Sequence, residues 1–207
     1  GSTTGVYYPR SIAISHDGSY IVVGGYYTAL WSKSSSTALW YTQTSYAYEA
    51  YISDDGAHIL SSPNSIVRAW DKDSSTPLWS KSVTTSSVTL SSDGTTAVIA
   101  HNDRDVMMYD FRTGSVFRSF DENHWQLHHM AISSNGEILI GGSHSSSKLL
   151  VFSRHNVDAQ VEYPLSYLID TGMLHFSNDD SGFVTIVSSG HRINYYYTNE
   201  TGRTACR

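Results

Sequence analysis

An all-β fold built from repeated units is predicted by three observations on this 207-residue chain. A short apolar stretch, a Ser/Asp/Asn-Gly turn and a second apolar stretch recur five times: SIAISHDGSYIVVGG, AYISDDGAHILSS, VTLSSDGTTAVIA, MAISSNGEILIGG and MLHFSNDDSGFVTIVSS. The glycines that mark these turns, Gly18, Gly56, Gly94, Gly136 and Gly182, are separated by 38, 38, 42 and 46 residues. That spacing is the roughly 40–50-residue period of a four-stranded propeller blade. Apolar and polar residues alternate over short runs, and no longer window keeps the i, i+3, i+4, i+7 pattern of a helix. The expected fold is therefore a β-propeller: five repeats of about 40 residues, each a four-stranded antiparallel blade. Residues 1–207 form a single domain, complete or excerpted from a larger protein.

Aligning the turns assigns the strands in order. The first strands superpose Ile12 and Ile14 on Ala50 and Ile52, Val88 and Leu90, Met130 and Ile132, and Leu174 and Phe176. A period of two puts these on one face, packed between blades, and puts Ala13, Tyr51, Thr89, Ala131 and His175 on the other. The latter are read as the inward positions, and none is a carboxylate. Second strands end in small residues, Gly24-Gly25, Ser61-Ser62, Gly141-Gly142 and Ser188-Ser189, which suit the crowded part of a blade. Third strands end on a ring in every repeat: Trp31, Trp70, Tyr109, Phe152 and Tyr196 or Tyr197. Each such ring buries about 150–250 Å² and reads as core. After the fifth third strand little chain remains, so residues 3–8, TTGVYY, are expected to supply the last fourth strand and close the ring. An open edge pairing with a neighbouring molecule is the alternative.

Composition narrows the classes of partner. A net charge of −6 without any Lys/Arg cluster argues against nucleic acid, whose binding needs convergent cations. No apolar run approaches the roughly 20 residues of a transmembrane helix. A charged fraction of only 15%, with hydroxyl side chains dominating the polar positions, leads to the expectation of an extracellular or cell-surface protein. The triplet Asn199-Glu200-Thr201 is a formal glycosylation acceptor that agrees with it. The only cysteine, Cys206, has no internal partner, so neither a disulfide nor a cysteine-ligated metal is expected.

Trp70-Asp71 and Tyr109-Asp110, at the ends of third strands, together with the S-x-D-G turns, resemble WD repeats. The segments LWSKSSSTALW (30–40) and AWDKDSSTPLW (69–79) agree at seven of eleven positions, with a Trp near each end. That paired-Trp spacing is similar to the repeats of quinoprotein-like propellers. The resemblance implies the fold and a role as a binding platform, without a catalytic residue or a cofactor.

Strand parity brings the strand-two-to-three turns and the blade-to-blade links out on one face. This face collects Tyr26, Tyr27, Tyr46, Tyr48, His101, Asn102, the 121–129 loop DENHWQLHH with His124 and Trp125, His144, Tyr167 and His191. Exposed aromatic residues give contact area at low entropic cost. The binding residues chosen on this ground are Tyr26, Tyr27, Tyr46, Tyr48, His124, Trp125 and His144. Neither a metal site nor an enzyme is expected. His124, His128 and His175 do not make a convergent set of three or four ligands, and the Asp residues recur in step with the turns. The leading expectation is a non-enzymatic scaffold that recognises a protein. The alternatives are a building block of a surface layer or filament, joined through the edge of the last blade, and a lectin-like propeller that binds carbohydrate.

Overall fold

The computed structural model describes residues 8–44, 46–63, 65–101, 105–121, 127–142, 148–155, 161–164, 169–187, 192–198 and 204–206. They form five four-stranded antiparallel sheets in chain order. The first contains β1 (Ser11–Ile14), β2 (Tyr20–Gly24), β3 (Tyr27–Ser32) and β4 (Trp40–Gln43). The second contains β5 (Ala47–Ile52), β6 (His58–Pro63), β7 (Ile66–Asp71) and β8 (Trp79–Ser82). β9 (Thr85–Leu90), β10 (Thr96–His101), β11 (Asp105–Asp110) and β12 (Val116–Asp121) form the third. The fourth is β13 (His129–Ile132), β14 (Ile138–Gly142), β15 (Lys148–Ser153) and β16 (Val161–Pro164). The fifth is β17 (Ile169–Phe176), β18 (Gly182–Val187), β19 (Arg192–Thr198) and β20 (Thr204–Cys206). Among the described residues no helix is long and apolar enough to cross a membrane.

Each first hairpin is fixed by the chemistry of its Ser-x-Asp-Gly turn. Ser15 Oγ donates to Asp17 Oδ1 at 2.9 Å and accepts the Tyr20 N–H at 3.0 Å, while Gly18 takes the left-handed conformation at φ +68°. The hydrogen bonds from the Ser19 hydroxyl and amide and from Ser15 hold the Asp17 carboxyl at about 2, well below its ordinary value. Ser53 with Asp55, Ser91 with Asp93, and Ser133 with Asn135 repeat the bond. At Gly94, φ is +71° and an added Cβ would lie 2.9 Å from Ser53 Cβ and closer still to the His58 ring. Gly94→Ala is expected to lose at least about 1–2 kcal/mol from the left-handed conformation alone. A urea midpoint unchanged from wild type would show that the turn tolerates a side chain. The fifth turn corrects the sequence alignment: its left-handed residue is Asp180 (φ +54°), three after Ser177, whereas Gly182 opens β18. Asp180 occupies the glycine position because Asp tolerates that conformation better than most side chains.

Consecutive sheets stack by one rule: the face carrying the even-numbered β2 residue Val22 meets the next sheet's Ala50, Ile59 and Trp70. Equivalent clusters join the second sheet to the third around Leu60, Val88 and Tyr109, the third to the fourth around Val98, Phe120 and Phe152, and the fourth to the fifth around Ile140, Leu174 and Phe183. The paired Trp residues act across these junctions. Trp40 stacks on Trp70 at 5.9 Å and its Nε1 donates to Lys72 O at 2.7 Å. One sheet on, Trp79 stacks on Tyr109 at 6.2 Å and donates to Phe111 O at 2.6 Å. Arg118 takes the place of the Trp in the third sheet, donating to Arg154 O at 2.9 Å. Of the two rings offered for the fifth third strand, Tyr196 is the buried equivalent.

Two expectations require correction. The last fourth strand is β20, hydrogen-bonded to β19, so the chain's own C-terminal segment completes the fifth sheet. Residues 3–7, expected to supply that strand, lie outside the described residues. The described residues show no packing between the first and fifth sheets like that at the four junctions. Of the positions expected to face inward, Tyr51, Thr89, Ala131 and His175 line an interior cavity, and Ala13, Tyr51 and Ala131 also join the clusters against the following sheet.

Candidate functional site

The turn between β2 and β3 and the link from β4 to β5 emerge together, tied by Thr44 N–H donating to Tyr26 O at 3.0 Å and Ala47 N–H donating to Gly25 O at 2.7 Å. Four tyrosines collect there. Tyr26 meets Tyr27 at 5.2 Å and Tyr46 at 5.6 Å between ring centroids, and Tyr27 meets Tyr41 at 5.9 Å, all edge to face. Such pairs contribute roughly 0.5–1.5 kcal/mol beyond their area, so the cluster is pre-ordered. Gln43 Nε2 donates to the Tyr26 hydroxyl at 2.7 Å. Tyr46 sits at φ +69°, an uncommon conformation for a side chain of this size, held by its contact with Tyr26. Tyr48 points outward, 55% exposed, with the Arg10 guanidinium 5.9 Å from its ring centre.

The structure thus brings Tyr26, Tyr27 and Tyr46 into one cluster and leaves Tyr48 exposed beside it. It adds Tyr41, which sequence parity on β4 alone did not single out. His101 is elsewhere, its Nε2 lying 3.3 Å from the Tyr109 hydroxyl. His124, Trp125 and His144, with Asn102, Tyr167, Ser188, Ser189, His191 and the Asn199 triplet, lie outside the described residues.

A second feature runs along the first strands of the second to fifth sheets: a cavity of about 310 Å³ whose wall includes Glu49, Tyr51, Ser87, His129, His175 and Asp180. Its end is formed by the Ser-x-Asp-Gly turns, with His16, Asp54, Ser92 and Ser134 among the lining residues. The inner strands therefore do present a carboxylate to the interior, contrary to the sequence expectation. Glu49 Oε2 accepts the Val88 N–H at 3.0 Å and Oε1 accepts the Ser87 hydroxyl at 3.2 Å, joining the second sheet to the third. Burial pushes its carboxyl up to about 7, against the pull of those two hydrogen bonds. Burial and the neighbouring Glu49 charge raise the Tyr51 phenol as well. The Ser134 amide donates to Asp180 Oδ1 at 2.8 Å, and the Ser134 hydroxyl also donates to the same carboxylate.

Glu49 escaped the sequence reading because it lies one residue ahead of the aligned pair in its strand, where the other repeats carry Ser11, Ser87, His129 and Met173. The alignment itself held the signal. Ser11 Oγ accepts the Ala50 N–H at 3.0 Å, so the Glu49 bond to Val88 is the same inter-sheet bridge made by a longer side chain.

The geometry defines an all-β protein of stacked four-stranded antiparallel sheets with a tyrosine-rich loop end and a polar inner cavity. Compared with known protein families and with curated proteins, the sequence matches none.

Proposed function

We propose that the protein is a non-enzymatic, propeller-like binding scaffold that recognises a protein partner through its loop-rich end, outside the cell or on its surface. The observation that carries this reading is the Tyr26, Tyr27, Tyr41 and Tyr46 cluster with exposed Tyr48 beside it. Rigid aromatic side chains lose little entropy on contact and dominate binding energy at interfaces. The WD-like pattern of the repeats supports the same role by analogy of architecture.

Capture of partners from a native surface extract by the 207-residue chain tests it. Replacing Tyr26 and Tyr27 together by Ala is expected to weaken capture at least about tenfold, with the thermal midpoint checked alongside. Capture that survives periodate treatment of the extract supports a protein partner, and capture abolished by periodate replaces this reading with the lectin-like one. Binding unaltered in the double variant defeats the assignment of the site.

A further inference from the structure

The five sheets are joined by four junctions of one kind, and among the described residues large apolar side chains lie exposed on both outer faces of the stack. At the inner junctions the counterparts of Ile12 and Ile14 are covered: Val88 and Leu90 are 0% and 8% exposed, Met130 and Ile132 6% and 8%. Ile12 and Ile14 themselves are 72% and 60% exposed. The ring series agrees. Trp70, Tyr109, Phe152 and Tyr196 are buried, whereas their counterpart Trp31 is only half-buried because no preceding sheet covers it. At the other end, Ile193 on β19 is 70% exposed on the face that, in the four preceding sheets, packs against the next sheet. Large apolar side chains clustered on a sheet face mark an interaction surface.

These two faces correspond to the two halves of the junction that the molecule already makes four times. Among the described residues, the fifth sheet exposes Ile193 on the face that at each junction covers an Ile12-type face, and the first sheet exposes Ile12 and Ile14 on the face that accepts it. We infer that the Ile12/Ile14 face of the first sheet is a docking surface for a second copy of this chain, which seats the Ile193 face of its fifth sheet there. The contact is head to tail and continues the internal stacking rule between molecules. Because the two halves differ, it is heterologous: it closes into a ring if the rotation permits and otherwise grows as a filament. This contact uses sheet faces rather than the edge strand β20, and it is independent of the tyrosine-rich end.

Sedimentation velocity on the 207-residue chain from ~1 to ~100 µM, the range in which modest interfaces associate, tests it with two variants. Ile12→Lys and Ile193→Lys each change an exposed residue, so both retain the fold, checked by circular dichroism and thermal melting. Wild type is expected to associate with rising concentration. Either variant alone weakens association at least ~30-fold, because every head-to-tail contact needs both halves. An equimolar mixture of the two variants keeps one intact junction and forms dimers that go no further. A wild type that stays monomeric overturns the inference and leaves the faces to a different partner. Association that survives Ile193→Lys, or a mixture that remains monomeric, overturns the head-to-tail geometry.

Discussion

Trp70→Ala is expected to remove about 3–5 kcal/mol of stability, the range for truncating a large buried ring. Trp70 is fully buried, stacks on Trp40 across the first junction, and donates from Nε1 to Ser75 O at 3.2 Å. Its loss opens a cavity between two sheets, strips Trp40 of its stacking partner and leaves the turn carbonyl without its donor. Trp40 keeps its bond to Lys72 O, which limits how far the wall can collapse into the space. Trp31→Ala is the matched control. It deletes the same ring at the same register in a sheet with no predecessor, so in dilute solution it costs less than half as much. Urea unfolding of both variants decides the matter. Equal losses would show that the ring stabilises its own sheet rather than the junction, and a Trp70→Ala loss under about 1 kcal/mol would remove the junction from the account.

The positions of these rings were legible in the sequence because one turn chemistry recurs: Ser15, Ser53, Ser91, Ser133 and Ser177 each anchor an acid or amide two residues on. Local hydrogen bonding fixes the turn, the turn fixes the register, and a period of two then assigns every face. What the sequence hid depends on contacts between units. The paired Trp spacing was visible, but the acceptors Lys72 O and Phe111 O belong to the following sheet and 32 residues separate donor from acceptor. Asp180 replaces a glycine without announcing it, since Gly182 lies close enough to be mistaken for the turn residue. β20 is three residues long, too short for periodicity to register. Of the tyrosine-rich end, the residue types and the shared face were readable, while the edge-to-face contacts follow from the link between two connections. The cavity was readable in part: Tyr51, Thr89, Ala131 and His175, placed inward by the period of two, line it, but its carboxylate Glu49 occupies a slot where other repeats place Ser, His or Met.

That carboxylate makes stability depend on pH in a direction opposite to the turn aspartates. Glu49 has an ordinary value of 4.5 and a folded value of about 7. Between these limits the folded protein holds a proton that the unfolded chain has released, so stability falls as pH rises from about 4.5 to about 7 and stays low above it. A shift of this size corresponds to at most about 3 kcal/mol. Asp17 and Asp179, each held at about 2 by hydrogen bonds from turn serines, act the other way: their contribution is complete above the ordinary carboxyl value and is lost as pH falls toward 2. Stability is therefore expected to peak near the ordinary carboxyl range, where the aspartates are ionised and Glu49 is still protonated. Glu49→Gln keeps an oxygen to accept the Val88 N–H and removes the charge. It is expected to flatten the decline between pH 5 and pH 7.5, and to leave the variant more stable than wild type at about pH 8. Urea unfolding of the two proteins across this range isolates the carboxyl, because all other titrating groups are common to both. If Glu49→Gln retains the wild-type slope, or is less stable than wild type at pH 8, the Glu49 carboxylate is stabilised at the junction rather than destabilised by burial there.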